Sequence, residues 1–95
     1  KDVTEDIAQM FNWPVGVYVR SVEANSAAAK GGILEKDIIV GLNEIEVTST
    51  TQLIEKVTSY RAGTEVNVRL MRNENVQYVE KEIQVELGRR PVASR

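Results

Sequence analysis

Residues 16–43 read GVYVRSVEANSAAAKGGILEKDIIVGLN, and the fold is decided here. The run Val17-Tyr18-Val19-Arg20-Ser21-Val22 is β-branched and aromatic, which predicts a strand. Ser26 can cap a single helical turn of Ala27, Ala28 and Ala29, and Gly31 can supply the left-handed residue that closes it. Gly32-Ile33 then turns the chain and drops an apolar anchor inward. After Asp37 the sequence Ile38-Ile39-Val40-Gly41-Leu42 is continuously apolar, the mark of a central strand. Asp37 stands where its carboxylate can accept from a loop N–H, and Asn43-Glu44 is a turn because Asn tolerates positive φ.

Working outward, Thr4 before Glu5 and Asp6 reads as a helix cap with acids complementing the helix dipole. Ile7, Met10 and Phe11 recur on one helical face, and Pro14 with Gly16 is expected to end that helix. On the other side, Ile45-Glu46-Val47 predicts a short strand, and Ser49 or Thr50 begins a second helix. Its apolar stripe is Leu53, Ile54 and Val57, running through Tyr60 to a stop at Ala62-Gly63. Val66, Val68 and Leu70 alternate in one strand, and Ile83, Val85 and Leu87 in the next, with a turn expected near Arg72–Asn75. Gly88-Arg89-Arg90-Pro91 breaks the pattern, so residues 89–95 read as a linker and residues 1–88 as one domain. The expectation is an α+β domain: a small antiparallel sheet of five to six strands with two helices.

At 95 residues the chain has room for one core, and 42% hydrophobic with 27% charged residues suits a folded domain. Cysteine and histidine are both absent, so disulfides, thiolate metal sites, imidazole metal sites and Ser-His-Asp or Cys-His catalysis are excluded. Ser21, Ser26, Ser49, Ser59 and Ser94 have no base partner, and neither a catalytic role nor a cofactor or metal is assigned. The net charge of −2, with Lys and Arg dispersed, argues against nucleic acid, and the apolar runs are too short for membrane insertion. Opening on Lys1-Asp2 without an initiator Met, the sequence reads as an excised part of a longer protein.

The run from Gly16 to Asn43 resembles the PDZ domains of bacterial HtrA-like (protease Do-like) serine proteases: a Gly-led strand, an Ala-rich turn, Gly-Ile, an Asp-led strand and an Asn turn. The similarity extends over about residues 3 to 90, with Ser49–Tyr60 in the place of the groove helix. The amino-terminal KDVTEDIAQMF resembles the circularly permuted, protease-linked form. This implies a small antiparallel β-sandwich or partly open barrel. There is one departure. The family's Gly-hydrophobic-Gly-hydrophobic carboxylate loop is not in the sequence. The resemblance places it just before Lys1, so that loop strand is expected to be cut off, leaving Asp2-Val3 as the tail of the groove strand.

What the resemblance implies for function is β-strand addition: an extended peptide lies on the sheet edge beside the helix and sets a side chain in an apolar pocket. Carried over by position, the peptide-binding residues are Val3, Phe11 (pocket floor), Ile54, Val57 and Thr58. The partners implied are polypeptide C-termini or unfolded proteins, an upstream protease domain and neighbouring PDZ domains, in the periplasm or cell envelope. One buried terminal side chain gives roughly 1.5–3 kcal/mol. Micromolar binding needs about 8 kcal/mol, so backbone bonds must add to it. The bland readings stand beside these. A core role is the default for Ile54 and Val57 on an amphipathic helix and for Phe11, and Trp13 suits a plug at the helix end. The alternative function is structural: assembly of protease subunits or domains.

Overall fold

Each helix begins where a hydroxyl accepts from an early helical amide, which satisfies a donor that has no partner within the helix. In the computed structural model, which describes residues 1–87, Thr4 caps α1 (Glu5–Phe11), Ser26 caps α2 (Ala27–Gly31) and Ser49 caps α3 (Thr50–Thr58). The cap distances are 3.4 Å to Ile7 N, 3.1 Å to Ala29 N and 3.1 Å to Gln52 N. Thus the capped alanine turn is a third helix. The helix ends differ from expectation. α1 stops at Asn12, which takes a left-handed φ of 59°, before Pro14 is reached. α2 closes at Gly32 with φ 100°, not at Gly31. Gly31 lies within the helix for a different reason: a Cβ there would stand 2.7 Å from Val85 Cγ2, so glycine lets α2 settle on the sheet.

The strands are β1 (Asp2–Val3), β2 (Gly16–Tyr18), β3 (Ile38–Leu42), β4 (Ile45–Glu46), β5 (Glu65–Glu74) and β6 (Gln77–Glu86). They form an open antiparallel sheet in the order β1-β2-β3-β5-β6, with β4 paired to β3. β2 is shorter than the sequence implied. Its pairing continues irregularly, with Val19 N donating to Asp37 O at 2.8 Å and Lys36 N to Val19 O at 2.7 Å. The final hairpin is longer: its turn is Asn75-Val76, φ 52° and 69°, and Asn73 and Glu74 still pair across the strands. Positive φ at both central residues matches the strand twist of a two-residue hairpin. The boundary at residue 88 and the linker expected over residues 89–95 lie outside the described residues.

Val66, Val68 and Leu70 all face inward as their alternation required, joining Val17, Ile33, Ile39, Leu42, Val47 and Val85 in one core. Fully burying such side chains is worth about 1.5–3 kcal/mol each. Leu53, Val57 and Tyr60 press the underside of α3 onto that core. Asp37 is 1% exposed and accepts from Leu34 N at 2.9 Å, as the sequence suggested. It also takes two bonds from Arg72, at 2.9 Å (Nε) and 2.7 Å (Nη2), which the sequence did not reveal. Arg72 Nη2 additionally donates to Gly32 O at 3.0 Å, so one guanidinium fastens the α2–β3 loop to β5.

Candidate functional site

The site is built around α3, which polar clasps hold at both ends. Near its C-terminus Asn43 Nδ2 donates to Tyr60 Oη at 2.8 Å. The same Asn43 grips β5 twice, accepting from Asn67 N at 2.9 Å and donating from its own N to Asn67 O at 2.7 Å. At the N-terminus Asp2 Oδ1, on β1, accepts from both Thr50 N and Thr50 Oγ1 at 2.6 Å. These bonds, the hydroxyl's first and the amide's second, hold the Asp2 carboxyl below its ordinary pKa of 3.8.

The Asp2–Thr50 contact fixes which side of the helix faces β1. Residues four, seven and eight positions further along a helix share that side. From Thr50 these are Ile54, Val57 and Thr58. Ile54 is 56% exposed. Thr58 is exposed, its Oγ1 donating to Glu55 O at 3.0 Å. Val57 is half-buried and divides its surface between the core and this stripe. Opposite stands β1, the terminal strand of the sheet, whose side chain Val3 is buried at 1% exposure. Among the described residues no strand pairs with the outer edge of β1.

Phe11 is elsewhere. It is 56% exposed, with its ring 5.3 Å from that of Trp13. It lines a hollow with Pro14, Asn73, Val76 and Tyr78, beside the β5–β6 turn, and no lining residue comes from α3. Trp13 stacks flat on Tyr18, 5.4 Å away and 3° from parallel, while its backbone N donates to Ala8 O of α1 at 2.9 Å. Burial in this hollow pushes the Tyr78 phenol above its ordinary pKa. The structure therefore groups Ile54, Val57 and Thr58 along the helix, sets Val3 in the facing strand, and leaves Phe11 apart. The sequence reading missed Asp2 and Thr50 as partners. They are 48 positions apart, and only Asp2's place in the expected groove strand hinted at it.

No cluster of three or more Asp or Glu that could hold a metal occurs among the described residues, and no helix there is long and apolar enough to cross a membrane.

The site is thus an edge strand beside a helix with an exposed aliphatic stripe. The family model described as PDZ domain matches residues 2–85. The chain belongs to the PDZ domain family. It is similar to the periplasmic pH-dependent serine endoprotease DegQ of Escherichia coli K12, 35% identical over 74 residues, which are 76% of this chain and 16% of that protein. A probable periplasmic serine endoprotease DegP-like of Pseudomonas fluorescens is 29% identical over 82 residues, covering 84% of this chain and 17% of that one. The chain thus spans about a sixth of the length of these relatives. Among solved structures, the HtrA-type protease AlgW with decapeptide superposes with a TM-score of 0.77 at 24% identity, covering 97% of this chain and 28% of that chain. The HtrA3 PDZ domain bound to a phage-derived ligand (FGRWV) gives 0.68 at 23% identity, covering 90% of this chain and 77% of that one. These two likenesses establish the fold.

Proposed function

We propose that this domain is a non-catalytic peptide-binding module of a trypsin-like serine endopeptidase in the periplasm, taking C-terminal or unfolded segments by strand addition between β1 and α3. One observation carries the reading: a sheet edge that no strand pairs with among the described residues faces a helix stripe on which Ile54 is 56% exposed. Main-chain bonds to β1 around Val3 would hold the peptide without reading sequence, while Ile54 and Val57 would select an apolar side chain and Thr58 would border it. The relatives' names, periplasmic serine endoproteases, support the parent and its compartment. The test is a ¹H–¹⁵N titration with short peptides ending in Val, Leu or Phe. Shifts should centre on Val3, Ile54 and Val57 and vanish in Ile54→Asp. Shifts centred on Phe11 and Tyr78 instead, or none at all even in a form extended upstream by about ten residues to carry the expected loop strand, would reject the groove.

A second reading, an assembly surface toward a protease domain or a neighbouring PDZ domain, is favoured by a separate observation. Phe11 and Val76 are 56% and 91% exposed around the hollow that holds Trp13 and Tyr78. The combined change Phe11→Asp with Val76→Asp in the parent protein should then alter oligomer size by light scattering while leaving peptide titration unchanged.

A further inference from the structure

We propose that Asp2 is the positioning residue of the groove, a strut whose carboxylate sets the separation and angle of α3 against β1. Its binding consequence rests on the peptide-groove reading above; its structural consequence does not.

Helix α3 has no need of Asp2 in order to form. Ser49 Oγ accepts from Gln52 N at 3.1 Å, and Ser49 O accepts from Leu53 N at 3.0 Å. Gln52 is itself drawn back, its Oε1 accepting from Thr48 N at 2.9 Å and its Nε2 donating to Glu46 O at 2.7 Å. These bonds lie within six residues and cap the start of the helix locally, leaving to Asp2 the amide of Thr50. The Asp2 bonds come from 48 residues away and meet Thr50, the first residue of the helix, through amide and hydroxyl at once. Two donors on one oxygen at 2.6 Å leave little freedom in distance or direction, and an ionised acceptor makes such bonds about twice as strong as neutral ones.

The rest of the helix can pivot. Its C-terminal clasp, Asn43 with Tyr60, is anchored to the β3–β4 turn and β5, on the far side from β1. Its underside contacts are aliphatic and non-directional, so they hold depth better than angle. Among the described residues, the Asp2–Thr50 pair is the one polar bond joining the two walls. With it gone, α3 would hinge about Asn43 and Tyr60, and Ile54 would swing relative to Val3. An added strand needs a set width on both sides at once, since neighbouring strands lie about 4.7–4.9 Å apart.

The experiment compares the 95-residue chain with Asp2→Ala, Asp2→Asn and Thr50→Val, titrated with short peptides ending in Val, Leu or Phe, alongside amide exchange. Asp2→Ala should weaken binding about tenfold and speed exchange at Leu53 and Ile54, with β5–β6 amides unchanged as the internal control. Asp2→Asn keeps an acceptor for Thr50 and should recover most of the affinity, which a charge-only role would not allow. Thr50→Val keeps the amide bond and should fall between. Wild-type-like affinity and exchange in Asp2→Ala would overturn the proposal. If neither the unaltered chain nor a form extended upstream by about ten residues binds peptide, the groove reading falls, and faster exchange in Asp2→Ala still supports the strut while unchanged exchange removes it.

Discussion

Two aspartates divide this molecule. Asp37 sits on the hairpin side, 1% exposed, gripped by Arg72 and Leu34 N beneath long strands whose pairing runs without interruption from Glu65–Glu86 to Glu74–Gln77. Asp2 sits on the groove side, in a strand of two residues, and reaches a helix that packs through one aliphatic face. Both carboxylates receive short charge-assisted bonds, yet the consequences differ. Around Asp37, Arg72 is held in the continuous β5–β6 pairing and Leu34 N in the α2–β3 loop, so the carboxylate welds loop to strand. Around Asp2 little else joins the two walls, so the bond governs geometry more than stability. In the strand-addition reading proposed above, the platform keeps the register while the Asp2–Thr50 bonds set the width of the receiving edge.

The largest effect should come from breaking the platform. Asp37→Ala leaves Arg72 and Leu34 N without their acceptor, and unfolding in urea should show a loss of about 3 kcal/mol, in the range for one partner of a buried pair. The loss should be smaller in Asp37→Ala combined with Arg72→Met; an equal loss would mean the pair is not the cause. Next is the junction between the halves. A side chain at Gly16 would run into Ile39 O and come within 2.9 Å of Ile38 Cγ2, so Gly16→Ala should cost about 1–3 kcal/mol by overpacking. A variant of unchanged stability would show that β2 can move freely from β3.

On the groove side, Ile54→Asp should leave the urea midpoint nearly unmoved, because Ile54 is 56% exposed and exposed substitutions usually fall within about 0.5 kcal/mol. Peptide affinity should fall by at least about tenfold, the equivalent of losing one buried aliphatic contact. The smallest effect concerns acid. Asp2 has its pKa lowered in the folded state, so its contribution is fully present above the ordinary value of 3.8 and is lost as pH falls through the folded value. The stability gap between the unaltered chain and Asp2→Ala should therefore be flat at neutral pH and close below about pH 3.8. A gap that widens on acidification would reverse the sign of this argument.

Local chemistry was legible because it is written locally. Thr4, Ser26 and Ser49 announced the helix starts, Asn43 its turn, and Val66, Val68 and Leu70 their shared face, since each signal lies within a few residues of its effect. The errors were also local, at ends where two residues compete. Asn12 pre-empted Pro14, Gly32 rather than Gly31 took the left-handed position, and a turn at Asn75-Val76 lengthened the hairpin past Asn73. The site was half legible. Helical spacing put Ile54 and Val57 on one stripe, but nothing in spacing could separate Phe11, which the fold carries to Trp13 and the hairpin turn.

What the sequence determined alone was most of the elements, with α2 foreseen only as a capped turn and β1 only through the resemblance, together with the inward faces of the long strands and a composition without histidine or cysteine. What only tertiary structure decided was who meets whom across long intervals: Asp37 with Arg72, Asn43 with Tyr60 and Asn67, and Asp2 with Thr50. Helix caps and alternation act through neighbouring backbone, so a short window encodes them. A carboxylate and its distant donor become partners only after the core has brought their strands and helices together, and no window of sequence holds both.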